Sequence, residues 1–112
     1  MQQNGTAPAE EYLGGMQLQA YKKLVARIER AADNGIPRNP EHAREFTFRE
    51  GGHAWLVREF KVFGHRITWD WGPGGELVLL HGFTKQSDST PKTELRRAAR
   101  FIESLREESE QP

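Results

Sequence analysis

Leu77-Val-Leu-Leu-His-Gly-Phe-Thr-Lys-Gln-Ser-Asp-Ser-Thr-Pro91 compresses a buried strand, a polar turn and a helix start into one stretch. The run from Leu77 to Leu80 with Phe83 is too short for a core helix and is bounded by turn residues, so it reads as a strand. Thr90 is placed to cap the helix that follows, with Pro91 as its first residue. Leu95, Ala98, Ala99, Ile102 and Leu105 then recur at helical spacing and form the buried stripe, leaving Arg96, Arg97, Arg100 and Glu103 for solvent or ligand. The strand thus delivers Lys85 to its own end and turns through Ser87, Ser89 and Thr90 into a helix N-terminus. Those hydroxyls, the first amides of the helix and Arg96 form a candidate phosphate-binding group, although hydroxyls before a helix are in the first place caps.

Working outward, Gly72-Pro-Gly-Gly75 joins this strand to His65–Trp71 as an antiparallel hairpin, and lacks the Lys-Ser/Thr of a phosphate loop. Ala54 to Phe60 reads as the preceding strand, and Phe46 and Phe48 alternate with polar neighbours before the Gly51-Gly52 turn. Toward the N-terminus, Pro8 opens a helix that Gly14-Gly15 stops or kinks. From Met16 a second helix carries Leu18, Tyr21, Leu24, Val25, Ile28 and Ala32 as its apolar stripe, with Asn34-Gly35 as its left-handed cap. Lys22, Lys23, Arg27 and Arg30 fall off that stripe and read as a solvated face. The expectation is a single α+β domain over residues 1–112: a helical hairpin or kinked helix over 8–34, a twisted antiparallel sheet over 44–84 and a C-terminal helix over 91–108 packed on the sheet.

Strand parity selects the candidate chemistry. In His65–Trp71, Ile67, Trp69 and Trp71 share the face that must be buried, so Arg66 is expected on an open sheet face, where its guanidinium can fork onto phosphate oxygens. Arg58 has Leu56 and Phe60 on its side, and either Arg58 or Arg66 could instead pair across strands with Glu59 or Asp70. His81 reads either as a titrating catalytic imidazole or as a hydrogen-bonded core histidine, with Leu79 and Phe83 on its side. The tryptophans read as core more readily than as base-stacking platforms. His42, His53 and His65 lack ligand spacing and no HExxH occurs, so neither metal nor cofactor is expected.

The chain has 112 residues, no cysteine and a formal net charge of zero. It carries neither a membrane-length apolar run nor a secretion signal at Met1-Gln-Gln-Asn-Gly, so a cytoplasmic protein is expected. Neutrality conceals an asymmetry: Arg44 to Arg100 holds ten Lys or Arg against seven Asp or Glu, whereas the tail after it is acidic. That permits a basic RNA-facing patch without requiring one.

Leu79-Leu-His-Gly-Phe-Thr-Lys85 with Thr90-Pro91, Glu94 and Ala98 resembles the C-terminal signature of the HigB-like, phage-derived branch of the RelE/ParE toxins of type II toxin-antitoxin systems. Asn4-Gly-Thr-Ala-Pro8, Trp55-Leu-Val-Arg58 and Arg66-Ile-Thr-Trp69 follow the family's order, so the likeness spans nearly the whole chain. The resemblance implies a RelE-like fold and a ribosome-associated mRNA endoribonuclease in which a ribose 2'-OH attacks its own 3'-phosphate. It implies Arg66 and Lys85 as cationic catalytic positions, with Arg58 a further candidate, and the titrating imidazole of His81 is added as an assisting group on its chemistry alone. The implied partners are a cognate antitoxin of helix-turn-helix type, mRNA and the ribosome, operator DNA through the antitoxin, and a second copy of the chain. The family usually has a strand before the Asn-Gly opening. Only Met1-Gln-Gln precedes Asn4, so that strand is expected to be missing, and Leu56 stands where Glu is frequent. Two alternatives follow: an inactive relative that binds an antitoxin and regulates its operon, or a ParE-like gyrase inhibitor.

Overall fold

The computed structural model describes residues 3–36, 39, 41–85 and 90–110. The chain runs β1 (Gln3–Gly5), α1 (Ala7–Gly14), α2 (Leu18–Asn34), β2 (Ala43–Glu50), β3 (His53–Val62), β4 (His65–Trp71), β5 (Leu77–Thr84) and α3 (Lys92–Glu110). Strands β2 to β5 form the expected antiparallel meander, and the sheet order is β1-β5-β4-β3-β2. The α+β class therefore holds. The expected absence of a first strand does not: Gln3, Asn4 and Gly5 pair in parallel with Leu77, Val78 and Leu79. Three residues suffice to cover the start of β5 because Thr6 continues the contact, its amide bonding to the Leu79 carbonyl.

Local chemistry accounts for the element ends. Thr6 caps α1, its hydroxyl accepting from the Ala9 amide at 3.2 Å, with Pro8 in the first turn. Gly35 ends α2 at φ 85, its amide bonding to the Ala31 carbonyl, although its ψ of 172 is extended rather than left-handed helical. Gly51 and Gly52 both take positive φ, as a two-residue hairpin requires. At the other end, α3 starts one residue later than the Thr90 cap predicts. The Pro91 carbonyl accepts from the Leu95 amide, so Pro91 takes the cap position, and the buried Thr90 hydroxyl has no hydrogen-bond partner among the described residues.

Helices lie on both faces of the sheet. On one, α1 and α2 pack Ala9, Ala20, Leu24, Ile28 and Ala31 against Phe60, Val62, Ile67, Trp69, Leu77 and Leu79. On the other, Ala98, Ala99, Ile102 and Leu105 of α3 meet Phe48, Val57, Val78 and Leu80. The α3 stripe is the one its spacing predicts. The α2 stripe is rotated from its expected position: Leu18 and Tyr21 are exposed, while Ala20 and Ala31 are buried with Leu24 and Ile28. Two small alanines let the helix approach the sheet, an advantage that apolar periodicity does not register.

Trp69 is 1 % exposed and stacks on Phe60 with ring centroids 5.4 Å apart, so it belongs to the core, with Trp71 edge-on beside it. Trp55 stacks on Phe48 and donates its indole N–H to Glu103 at 3.0 Å, pinning α3 to β3. Between Thr68 and Trp69 the β4–β5 register shifts. Leu79 consequently faces α2 with Trp69, whereas His81 turns with Thr68 toward α3. The parity that placed Leu79 and His81 on one side fails across this irregularity.

Gly82 is where α1 closes on β5, because a Cβ there would run into the Tyr12 ring. Replacing Gly82 by Ala should cost about 1–3 kcal/mol in urea unfolding, the usual penalty of an overpacked contact. Gly14→Ala, with open space around it, should stay within about 0.5 kcal/mol of the parent.

Candidate functional site

Helix α3 covers only part of its face of the sheet. Beyond its first turn, toward the β3–β4 hairpin, the strands present Arg44, Glu59, Lys61, Arg66, Thr68, His81 and Phe83 on that same side. The register fixes the arrangement: Arg44 lies opposite Glu59, Glu59 opposite Thr68, Lys61 opposite Arg66, Thr68 opposite His81 and Arg66 opposite Phe83. Lys85 follows the end of β5, its amide bonding to the Gly64 carbonyl at 2.8 Å. The open sheet face expected for Arg66 is therefore an open end of a face whose remainder is occupied by α3.

Glu59 is the centre of this group. It is 0 % exposed, and neither carboxylate oxygen has a hydrogen-bond partner among the described residues. Arg44 comes to 3.3 Å as an ion pair without hydrogen-bond geometry. Burial pushes the Glu59 carboxyl above the ordinary carboxylate range, against the opposing pull of Arg44, Arg66, Lys85 and Lys61. Lys61 responds in the opposite direction: burial and the neighbouring cations Arg44, Arg66 and Lys85 lower its ammonium pKa, with only Glu59 raising it. Arg66 is held in place rather than loose. One guanidinium nitrogen donates to the Phe63 and His65 carbonyls, each at 2.9 Å, while its buried Nε has no hydrogen-bond partner among the described residues. Four cations over one buried carboxylate, with spare donors and acceptors, make a site suited to a phosphate and a proton transfer.

His81 is 3 % exposed and lies between Thr68 and α3. Its Nδ1 is 2.5 Å from the Thr68 hydroxyl, and its ring stacks between Phe83 and Phe101. Glu94 approaches Nε2 at 3.3 Å without hydrogen-bond geometry. Burial, aided by the Arg97 charge, lowers the imidazole pKa to about 4, so the ring is neutral near pH 7 and the Glu94 contact is not an ion pair. The geometry matches the hydrogen-bonded core alternative and leaves His81 supporting Thr68 beneath the cluster.

The other sequence candidates lie apart. Arg58 shares the Trp69 face, 5.7 Å above that ring, and is held by Glu45 at 3.0 Å and Asp70 at 2.6 Å. Its charge is thus satisfied within the sheet, as the cross-strand alternative has it. Arg96 forks onto Glu50 at 2.9 and 3.0 Å and ties α3 to the end of β2. Thr90 is near the start of α3, and Ser87 and Ser89 lie outside the described residues. Sequence reading missed Arg44, Lys61 and the central role of Glu59. The placing of Arg44 on the face of Phe46, and the alternation of Glu59 and Lys61 with Phe60, carried the signal once the register was known.

Among the described residues no helix is long and apolar enough to cross a membrane, and no three metal-ligating side chains converge. An antiparallel meander of β2 to β5, edged by β1 and carrying helices on both faces, is consistent in general terms with a RelE-like fold. Residues 11–103 match the family of phage-derived Gp49-like proteins, and the chain belongs to that family. Members are toxin-like and often occur in toxin-antitoxin systems. No curated protein matches the chain.

Two buried groups give opposite pH signatures. His81, with its folded pKa near 4 against an ordinary 6.5, leaves the unfolded chain to bind the extra proton, so stability falls as pH drops from about 6.5 toward 4. The loss is about 3 kcal/mol at 1.36 kcal/mol per pKa unit. Glu59 works the other way: its folded pKa is raised, so its destabilising effect is absent below the unfolded value of 4.5 and develops as pH climbs through the folded one. Urea unfolding of Glu59→Gln should show a gain of about 0.5–2 kcal/mol at pH 7 that vanishes in acid, and His81→Asn should flatten the acid loss.

Proposed function

We propose that the chain is the toxin of a type II toxin-antitoxin pair and an mRNA endoribonuclease of RelE type, acting without a metal. The observation that carries this reading is the buried Glu59 carboxylate, without a hydrogen-bond partner among the described residues, beside Arg44, Lys61, Arg66 and Lys85, joined to the family membership. In the proposed reaction Arg66 and Lys85 hold the scissile phosphate and neutralise charge developing on its oxygens. Glu59, basic enough through burial, accepts the proton of the ribose 2'-OH once substrate draws the half-exposed Arg44 away. The 2'-oxygen bonds to phosphorus, the bond to the 5'-oxygen breaks, and that oxygen takes its proton from Lys61, whose ammonium is made more acidic by its neighbours. The products are a 2',3'-cyclic phosphate and a free 5'-hydroxyl. An antitoxin of helix-turn-helix type, the ribosome and a cytoplasmic setting complete the proposal.

The alternative of an inactive, partner-binding relative rested on a missing first strand, and β1 removes that support. The inferred chemistry is tested by incubating purified chain with mRNA, with and without ribosomes, and analysing the ends produced. Cleavage should resist EDTA and leave cyclic phosphates. Glu59→Gln should lower the rate about 10²–10⁴-fold and Arg66→Ala about 10²–10³-fold, while both variants stay folded. The rate should rise with pH as Glu59 ionises above 4.5 and fall below 10.5 as Lys61 loses its proton. Unaltered RNA in every condition, or full activity in Glu59→Gln, defeats the assignment.

A further inference from the structure

A second basic surface lies on the α2 side of the β3–β4 hairpin, away from the cluster. Lys23, Arg27 and Arg30 fall on one stripe of α2 and, with Asn34 and His42, line a groove of about 490 Å³. No carboxylate is among its described lining residues. The Arg27 guanidinium donates to the backbone carbonyl of Lys61. Lys23 lies 4.6 Å from the ring centroid of Phe63, which is 62 % exposed at the hairpin tip.

Lys61 joins the two surfaces. Its carbonyl is held by the groove arginine, while its side chain belongs to the opposite face beside Arg66. A ridge one strand thick therefore separates the groove from the cluster. We propose that the groove binds the phosphate backbone of double-helical or folded RNA outside the cleaved strand, so that one RNA assembly engages both sides of the ridge. This rests on the endoribonuclease reading above. Charge complementarity selects the occupant: three cations without a lining carboxylate suit closely spaced phosphates. Among the described lining residues no Phe, Tyr or Trp occurs and His42 is the one ring, so the groove is built to contact the backbone rather than a stack of bases. An acidic protein segment would need apolar anchors, and Ala26 and Ile36 are the only apolar side chains in the described lining.

The test is fluorescence anisotropy of a short blunt RNA duplex with the intact chain across a salt series. Lys23→Glu with Arg30→Glu should weaken binding at least about tenfold at low salt and reduce the slope of log affinity against log salt by roughly two. The neutral pair Lys23→Gln with Arg30→Gln should do so less strongly, and the control Arg100→Gln with Arg106→Gln on α3 should leave binding unchanged. No duplex binding by the parent, undiminished binding by the charge-reversed pair, or tighter binding of a polyglutamate peptide than of the duplex overturns the proposal. Cleavage of mRNA with and without ribosomes, measured in parallel, separates the two readings. Cleavage with duplex binding insensitive to the α2 variants sinks the groove alone, whereas sensitive duplex binding without any cleavage sinks the nuclease reading and leaves the groove's preference for RNA standing.

Discussion

Burying β5 on both faces is the constraint on which the architecture turns. Leu77 and Leu79 go into the α1/α2 core and Val78 and Leu80 into the α3 core, so a period-two strand becomes a continuous apolar run. At roughly 25 cal/mol per Å² of apolar surface removed from water, such a strand draws helices onto both sides. The edge toward the N-terminus is then closed by β1 and Thr6, and the other side of β5 pairs with β4.

That double burial cannot continue to the end of the strand, because the chain there becomes His-Gly-Phe-Thr-Lys. The register shift at Thr68/Trp69 resolves the conflict. It leaves Trp69 and Leu79 in one core while rotating His81 toward α3, where Thr68 hydrogen-bonds it and two phenylalanines enclose it. Gly82 then faces α1 with no side chain, which is what lets the Tyr12 ring close on the strand. Tyr12 reaches His65 and Thr84 with its hydroxyl, at 2.6 and 3.0 Å. The end of β5 and the start of β4 are thereby fixed together, and Arg66 and Lys85 stand beside that junction.

Much of the fold was legible because its signals are local. Gly51-Gly52 and Gly72-Pro-Gly-Gly75 set the hairpins, and the α3 stripe follows from its spacing. β1 was not legible, since three residues without apolar alternation say nothing until a neighbour supplies the hydrogen bonds. The same limit applied to His81, whose facing depends on a register shift between two strands rather than on its own neighbours. At the site, Arg66 and Lys85 could be picked out as cations near strand ends. Arg58 could not be separated from them, because its partners Glu45 and Asp70 lie on two other strands.

Glu59 shows why charge counts misled. A buried carboxylate without hydrogen bonds is costly, and at a purely structural position it would be expected to carry a matched donor. Here its nearest cation lacks hydrogen-bond geometry, three more cations act on it from nearby, and burial still dominates its acidity. Burial, and after it the neighbouring cations, lowers the Lys61 pKa. Each group is thus held away from its ordinary protonation first of all by its own burial. A chain that is neutral overall can concentrate positive charge at one end of its sheet because the carboxylate among those cations is beneath the surface and the other acids are spread along the rest of the chain. An approaching polyanion would meet the cations first. In the reaction we propose, the carboxylate beneath them becomes available only as Arg44 moves, so that phosphate binding and exposure of the base are coupled.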